Sequence, residues 1–439
     1  MITKNQRNFR FKNVDIWYSD SVLRNQDVVI QDGVVQSIGS SKTGDASGLV
    51  LIPAGVDVQV HLRVPGQEHK ESPETGLLAA VCGGYGAVLT MPNTHPVIDC
   101  AEVVEMTRKI LSPLEEKYGV RVEISAAVTR TQLGEEVVDF ESLARAGVKA
   151  FTDDGRGVKR DEMMAKSFEC LQEIGLPLLQ HSEFPDHGGV LAPGPVQKKL
   201  GLSPYFPEPE IEMLKRDLDC LNKFPKARYH LLHTTSRLAL PLVKEAKENG
   251  FQVTAEVSPH HLYFCSDDIQ QDNTSFKMNP PLRGAEDRQA LQEGLQSGVL
   301  DWVATDHAPH SSADKTNDFR KAAFGTLGLE TSLRVLVDLL QAKRLSSERL
   351  VQVFSTRPAD FLRLPEEEGW GKIQSGRTFR AVLIDPKAEK QPYKESEIHS
   401  KSHNTCFLGT PLPNALIAHH TENRSYIFQA EKLEGIYFE

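Results

Sequence analysis

Short apolar runs alternate along most of this chain with longer stretches in which apolar residues recur every three or four positions. The runs are VDVQVHLR, GAVLTMPN, RVEISAAVT, VKAFTDD, LPLLQHSE, YHLLHTTS, QVTAEVSPHH and LDWVATDHAPH, eight in all. Each has the length and β-branched content of a buried strand, and each is followed by a helix-like stretch or a loop. The helical candidates include AEVVEMTRKILSPLEEK, RDEMMAKSFECLQEIG, EIEMLKRDLDCLNKF, SRLALPLVKEAKENG and LETSLRVLVDLLQAK. Eight strand–helix units in succession predict a closed parallel (β/α)8 barrel of the TIM type rather than an open sheet.

The two ends of the chain have a different pattern. Residues 9–39 alternate apolar and polar positions, and Asp32-Gly33 between two β-rich segments is a hairpin signal. After the glycine-rich join EEEGWGKIQSG, the chain returns to β character in TFRAVLIDP and continues in short mixed segments to YIFQAEKLEGIYFE. The expected fold is therefore α/β. Residues 1–53 together with 365–439 form a small β domain from both chain ends, and residues 54–364 form the barrel.

Composition narrows the function class. The chain has 439 residues, 39% apolar and 25% charged, with a formal charge of −10. An acidic balance argues against a surface for nucleic acid, which recruits clustered Lys and Arg. The N-terminal stretch MITKNQRNFRFKNVDIWYSD lacks the apolar core of a secretory signal, so a cytoplasmic location is expected. The least polar stretch, GLLAAVCGGYGAVLTMP, is broken by glycines and too short to span a bilayer. Six scattered cysteines with no CxxC pair point to reduced thiols. A metal would therefore be held by His and carboxylates.

Such groups gather where the apolar runs end. His61 closes the first run, Asn93 the second, Asp153 and Asp154 the fourth, His181 the fifth, His233 the sixth, and Asp306 with His310 the eighth. The C-terminal ends of barrel strands form the catalytic face of this architecture. Imidazoles and carboxylates converging there suit Zn2+, and an aspartate shared between two ions would make a dinuclear hydrolytic centre. A lone strand-end histidine is more often a hydrogen-bonded core residue, but several at one end of one barrel favour a metal site. The His260-His261 and His419-His420 pairs lack that support and read as structural or solvated.

The segments VHLRVPGQEHKE, MPNTHPVID, FTDDG, TAEVSPHHL, KMNPPLR and ATDHAPH, in this order, closely resemble dihydroorotase. That zinc amidohydrolase interconverts N-carbamoyl-L-aspartate and L-dihydroorotate in pyrimidine (UMP) biosynthesis. The likeness is to the bacterial form with an aspartate metal bridge. It implies one or two Zn2+ per chain, with Asp154 as the bridge, His61 and Asp306 on the first metal, and His181 and His233 on the second. It implies further that Asp306 is the catalytic general base or acid and that Arg63, Asn93, Asn279 and His310 contact substrate. The polar segment SSADKTNDFRKAAFG, residues 311–325, has the place of a loop that closes over substrate in that family, bringing in Phe324 and Gly325. The implied partners are a small-molecule substrate, further copies of the chain, and an aspartate transcarbamoylase of the kind some family members bind.

The sequence departs from the family where its first strand carries an HxH pair. Here the pair is Gln59 and His61, which share a strand face. An amide oxygen is a weaker zinc ligand than an imidazole nitrogen, so Gln59 is a weak or lost ligand. Two other readings stand beside a working dihydroorotase: a non-catalytic scaffold for aspartate transcarbamoylase, and a related cyclic amidohydrolase of the hydantoinase or allantoinase type. The latter enzymes use a carboxylated lysine as bridge. Lys149, at the far end of its run from Asp154, is not expected to supply one.

Overall fold

In the first barrel strand, Gly55–Val60, Val56, Val58 and Val60 are fully buried, and so are Asp57 and Gln59 between them. Burial on both faces is what a parallel strand beneath covering helices requires. A computed structural model of the chain, describing residues 1–5, 7–41, 47–184, 189–269 and 273–438, places this strand at one edge of an eight-stranded sheet. Tyr85–Thr90, Arg121–Ala126, Ala150–Phe151, Pro177–Gln180, Arg228–Leu231, Gln252–Val257 and Trp302–Val303 follow in chain order. All neighbours are parallel. A parallel bridge between Val60 and His307, with the His61 N–H donating to the His307 carbonyl at 3.0 Å, brings the end of the eighth strand back against the first. Each of the eight runs read from the sequence contributes one strand.

The five helical candidates form helices at Ala101–Tyr118, Asp161–Ile174, Glu208–Leu221, Ala239–Glu248 and Leu329–Gln341. The first two end on Gly119 and Gly175 with φ of 68° and 74°, the left-handed geometry that glycine adopts most readily. At Gly119 a side chain is also excluded by contact, since a Cβ there would lie 2.2 Å from Thr421 Oγ1.

Both chain ends join one nine-stranded sheet. Its order is Ile2–Lys4, Ser425–Ile427, Leu416–His420, Ala381–Ile384, Val50–Pro53, Phe9–Trp17, Val22–Gln31 and Val34–Ser40, with Tyr437–Phe438 pairing on Phe9–Trp17. The hairpin turns on Asp32 and Gly33, both at positive φ as a tight two-residue turn demands. His420 stacks on Phe9 in this sheet's core, and His419 bonds the Val81 carbonyl. This pair is structural, and so is its counterpart on the barrel: His261 bonds the Pro280 carbonyl, with His260 fully buried beside it. All six cysteines are free. Among the described residues no helix is long and apolar enough to cross a membrane.

Part of the C-terminal segment runs against the barrel mouth instead of joining that sheet. Ser400 Oγ donates to Glu71, Ser402 Oγ donates to the Lys70 carbonyl, and the Asn404 side chain donates to the Ala308 carbonyl.

Candidate active site

The two-residue strand period carries Asp57, Gln59 and His61 up the inner face of the first strand. Asp57, at the base, accepts from the Thr305 N–H and hydroxyl just past the eighth strand. Burial pushes its carboxyl up to about 7. His61, at the top, reaches a cavity of about 230 Å3 at the C-terminal ends of the strands. His61, Arg63, Asn93, Asp154, His181, His233, Asn279, Asp306, His310, Phe324 and Gly325 all line it. Eleven of the thirteen site candidates read from the sequence therefore meet in one place; Gln59 lies fully buried against Asp154, and Asp153 turns away to accept from the Val128 and Thr129 N–H groups. A larger cavity of about 710 Å3 elsewhere is lined by arginines already paired with carboxylates, such as Arg121 with Glu123 and Arg380 with Glu422.

Local backbone aims several of these groups. Arg63, His233 and Asp306 have φ of 60°, 28° and 47°, uncommon for residues with a side chain. Each sits where a strand turns out into its loop, and such strain is typical of functional positions held by surrounding structure. Gly66, just beyond Arg63, is required there: it has φ of 85°, and a Cβ would lie 1.8 Å from the His95 carbonyl oxygen.

The donor set fits a divalent metal. Asp154, His181 and His233 are buried, and each offers a ligand atom within 4.8 Å of the others. The imidazoles of His181 and His233 meet edge to face at 4.6 Å, and His181 Nδ1 has no hydrogen-bond partner. Burial and the neighbouring histidines hold His233 well below its ordinary pKa, so it is a neutral nitrogen donor. His61 completes a second group. Its Nδ1 lies 2.9 Å from Asn93 Oδ1, which can only accept, so the ring proton is on Nδ1 and the Nε2 lone pair faces the carboxylates. Nε2 is 3.3 Å from both Asp154 Oδ2 and Asp306 Oδ1. Burial lowers the His61 pKa to about 4. A neutral nitrogen and two carboxylates converging on one point are the ligands of a cation.

Gln59 alters this second group. Its Nε2 donates to Asp154 Oδ1 at 3.0 Å, and its buried Oε1 has no partner. Where the family's second imidazole would stand, an N–H donor occupies one oxygen of the central aspartate.

In the same cavity lining, Arg63 Nη2 lies 3.3 Å from His310 Nε2, which must accept because a guanidinium only donates. Burial keeps His310 neutral, with its pKa down to about 2. Its Nδ1–H is buried and unpartnered. Asn279 Nδ2 donates to Glu183 Oε2 at 2.9 Å, leaving Asn279 Oδ1 as a free acceptor. Burial raises the Asp306 carboxyl to about 7, opposed chiefly by His181 and Arg63. In segment 311–325, Lys315 Nζ donates to the Lys277 and Ala323 carbonyls, which fastens the loop beside the cavity. Lys149 lines a different cavity with Gly147 and Arg363, at the start of its strand rather than beside Asp154.

Glu183 was missed in the sequence, although its place two residues after His181 on the same run was the available signal. Asn404 had no signal at all, because it comes from the far end of the chain.

Comparison with known proteins bears on the family and the fold. Residues 48–191 match the model of the Dihydro-orotase-like family. The chain is 37% identical over 411 residues to dihydroorotases of Bacillus cereus (strain AH820) and Bacillus anthracis, covering 92% of this chain and 94% of each relative. Among solved structures it is similar to an L-hydantoinase (dihydropyrimidinase) from Arthrobacter aurescens, with a TM-score of 0.83 at 22% identity over 96% of both chains. A dihydropyrimidinase from Brevibacillus agri NCHU1002 gives a TM-score of 0.78 at 20% identity, over 98% of this chain and 95% of that one. At these identities the structural likeness concerns the fold.

Proposed function

The chain belongs to the dihydroorotase family of metal-dependent cyclic amide hydrolases, and from that premise we propose that it interconverts L-dihydroorotate and N-carbamoyl-L-aspartate. The observation that carries the substrate is the presence, in the lining of one small cavity, of a buried His–His–Asp set and a part-buried Arg63–His310 pair. A cyclic amide bearing a carboxylate needs both. Asp154, His181 and His233 would hold Zn2+, which when bound supplies a Lewis acid for the ring amide carbonyl. Gln59, already bonded to Asp154, favours a single metal per chain.

The protein's own groups do the rest. Arg63 donates to the substrate carboxylate, and the free Nδ1–H of His310 adds a second donor from the same wall. Asn279 offers its Oδ1 to a ring N–H. Asp306 takes a proton from the attacking water and returns it to the leaving ring nitrogen, a role suited to a carboxyl whose proton affinity is set by burial against nearby cations. Asn93 fixes the His61 tautomer as well as lining the cavity. We propose the division into residues 1–53 with 365–439 and residues 54–364, with the catalytic groups on the barrel.

A non-catalytic partner of aspartate transcarbamoylase would be expected to drift across the whole site, whereas among the site residues that the resemblance implies, Gln59 alone departs. Hydrolysis of L-dihydroorotate and closure of N-carbamoyl-L-aspartate by the zinc-supplemented protein test the proposal, with hydantoin and allantoin as competitors. Turnover of hydantoin or allantoin but not of dihydroorotate would refute it.

A further inference from the structure

We infer that Asn404, contributed by the C-terminal segment, is a positioning residue that sets His310 and the cavity end of the 311–325 loop against Arg63. Both N–H groups and the oxygen of its amide are engaged, three of the four hydrogen bonds an amide can make. Oδ1 accepts from the His310 N–H at 3.0 Å, and Nδ2 donates to the Ala308 carbonyl at 3.0 Å and the Gly325 carbonyl at 3.2 Å. Its own carbonyl accepts from the Leu327 N–H at 3.1 Å and the Thr326 hydroxyl at 3.2 Å. The residue is 5% exposed. One side chain thus joins the loop after the eighth strand, residues 306–310, to the returning end of the 311–325 loop.

Those two stretches also meet directly, with the Ala308 N–H donating to the Thr326 carbonyl at 2.9 Å, but no such bond reaches His310 or Gly325 at the cavity. Gly325 has φ of 140° and lies so close to the other loop that a Cβ would meet Ala308 Cβ at 2.8 Å and His310 Cδ2 at 3.0 Å. The close approach is made by backbone and held by both the Ala308–Thr326 bond and the Asn404 amide. His310, so placed, accepts from Arg63. None of the hydrogen bonds of Asn404 goes to a metal-ligating side chain, so its effect falls on the Arg63–His310 pair.

Only an amide fills this position. An aspartate could accept from His310 but would set a carboxylate against two carbonyl oxygens, and a serine could donate to one of them at most.

The inference rests on the proposed substrate, so its test has one arm that needs no substrate. Asn404→Ser and Asn404→Asp are compared with the parent and with Ser402→Ala, which alters a neighbouring contact to Lys70. In dihydroorotate hydrolysis, both Asn404 variants should raise KM at least about tenfold while kcat changes by less than about threefold and bound zinc per chain is unchanged. Ser402→Ala should leave KM alone. An Asn404→Ser, Arg63→Lys double variant should lose less than the product of the single losses, because both act on one wall. In hydrogen–deuterium exchange without substrate, amides in 306–310 and 325–327 should exchange faster in the Asn404 variants, with the barrel strands unchanged. An unchanged KM, a fall in kcat with metal loss, or unchanged exchange in those segments would overturn the inference. Absence of turnover in the parent would overturn the proposed activity instead, and the exchange arm would still decide the role of Asn404.

Discussion

Replacing Gln59 by histidine tests the most unusual feature of the site. The Gln59 amide donates one bond to the Asp154 carboxylate, at 3.0 Å. A bond to a charged acceptor is worth about 1.5–3 kcal/mol. The buried Oε1 of the same amide has no partner, which costs about 1–3 kcal/mol. Losing both nearly cancels, so metal-free Gln59→His is expected within about 1 kcal/mol of the parent. Metal breaks the symmetry. The variant gives His61, Asp154 and Asp306 a second imidazole and releases the Asp154 oxygen that Gln59 engages. It should therefore bind two equivalents of zinc where the parent binds one. At a free zinc level 100-fold above the new site's Kd, the added stabilisation is about 2.7 kcal/mol. Elemental analysis after equilibrium dialysis gives the stoichiometry, and urea denaturation with and without zinc gives the increment. A variant that still binds one equivalent, with the parent's zinc-dependent stabilisation, would refute the assignment of Gln59 as the residue that disables the first metal position.

Three further outcomes are expected. Asp306→Asn keeps the side chain's shape and removes its proton-accepting oxygen, so kcat should fall by about 10²–10⁴ while zinc still binds at Asp154, His181 and His233; steady-state rates with metal analysis check this. Burial raises the Glu256 carboxyl, which accepts from Trp302 and contacts His230, from 4.5 to about 8. The folded protein thus holds that proton more tightly than the unfolded chain, and the associated stability is complete below about pH 4.5 and lost as the pH rises through about 8, by up to about 1.4 kcal/mol per unit. Glu256→Gln has no such titration, so its stability relative to the parent should rise steadily from about pH 5 to about pH 8 in chemical denaturation; a flat difference would contradict the shift. Gly66→Ala forces a Cβ into the His95 carbonyl at positive φ, and should cost more than about 1 kcal/mol and weaken substrate binding through Arg63, as thermal melts and KM would register.

The sequence by itself determined much of this protein. The eight strands were legible because a strand buried on both faces needs an unbroken apolar run, and the Asp32-Gly33 hairpin because its positive φ values select those residues locally. The strand-end groups His61, Asp154, His181, His233 and Asp306 were legible because a barrel brings all its strand ends to one mouth, so topology alone makes distant residues neighbours. The shared face of Gln59 and His61 followed from the strand period. What that period could not decide was that the Gln59 amide turns its N–H to Asp154 and leaves its oxygen unpartnered, since this depends on side chains from two strands meeting in three dimensions. The same holds for the His61 tautomer set by Asn93 and for the Asn279 acceptor set by Glu183. Asn404 lies beyond any local rule: its five hydrogen bonds reach residues between 308 and 327, far back along the chain, and no periodicity or motif encodes a contact made only when the C-terminal segment packs against the barrel mouth. Sequence patterns fix what one element can do alone, whereas protons, tautomers and loop spacing are settled by which partners the packed fold supplies.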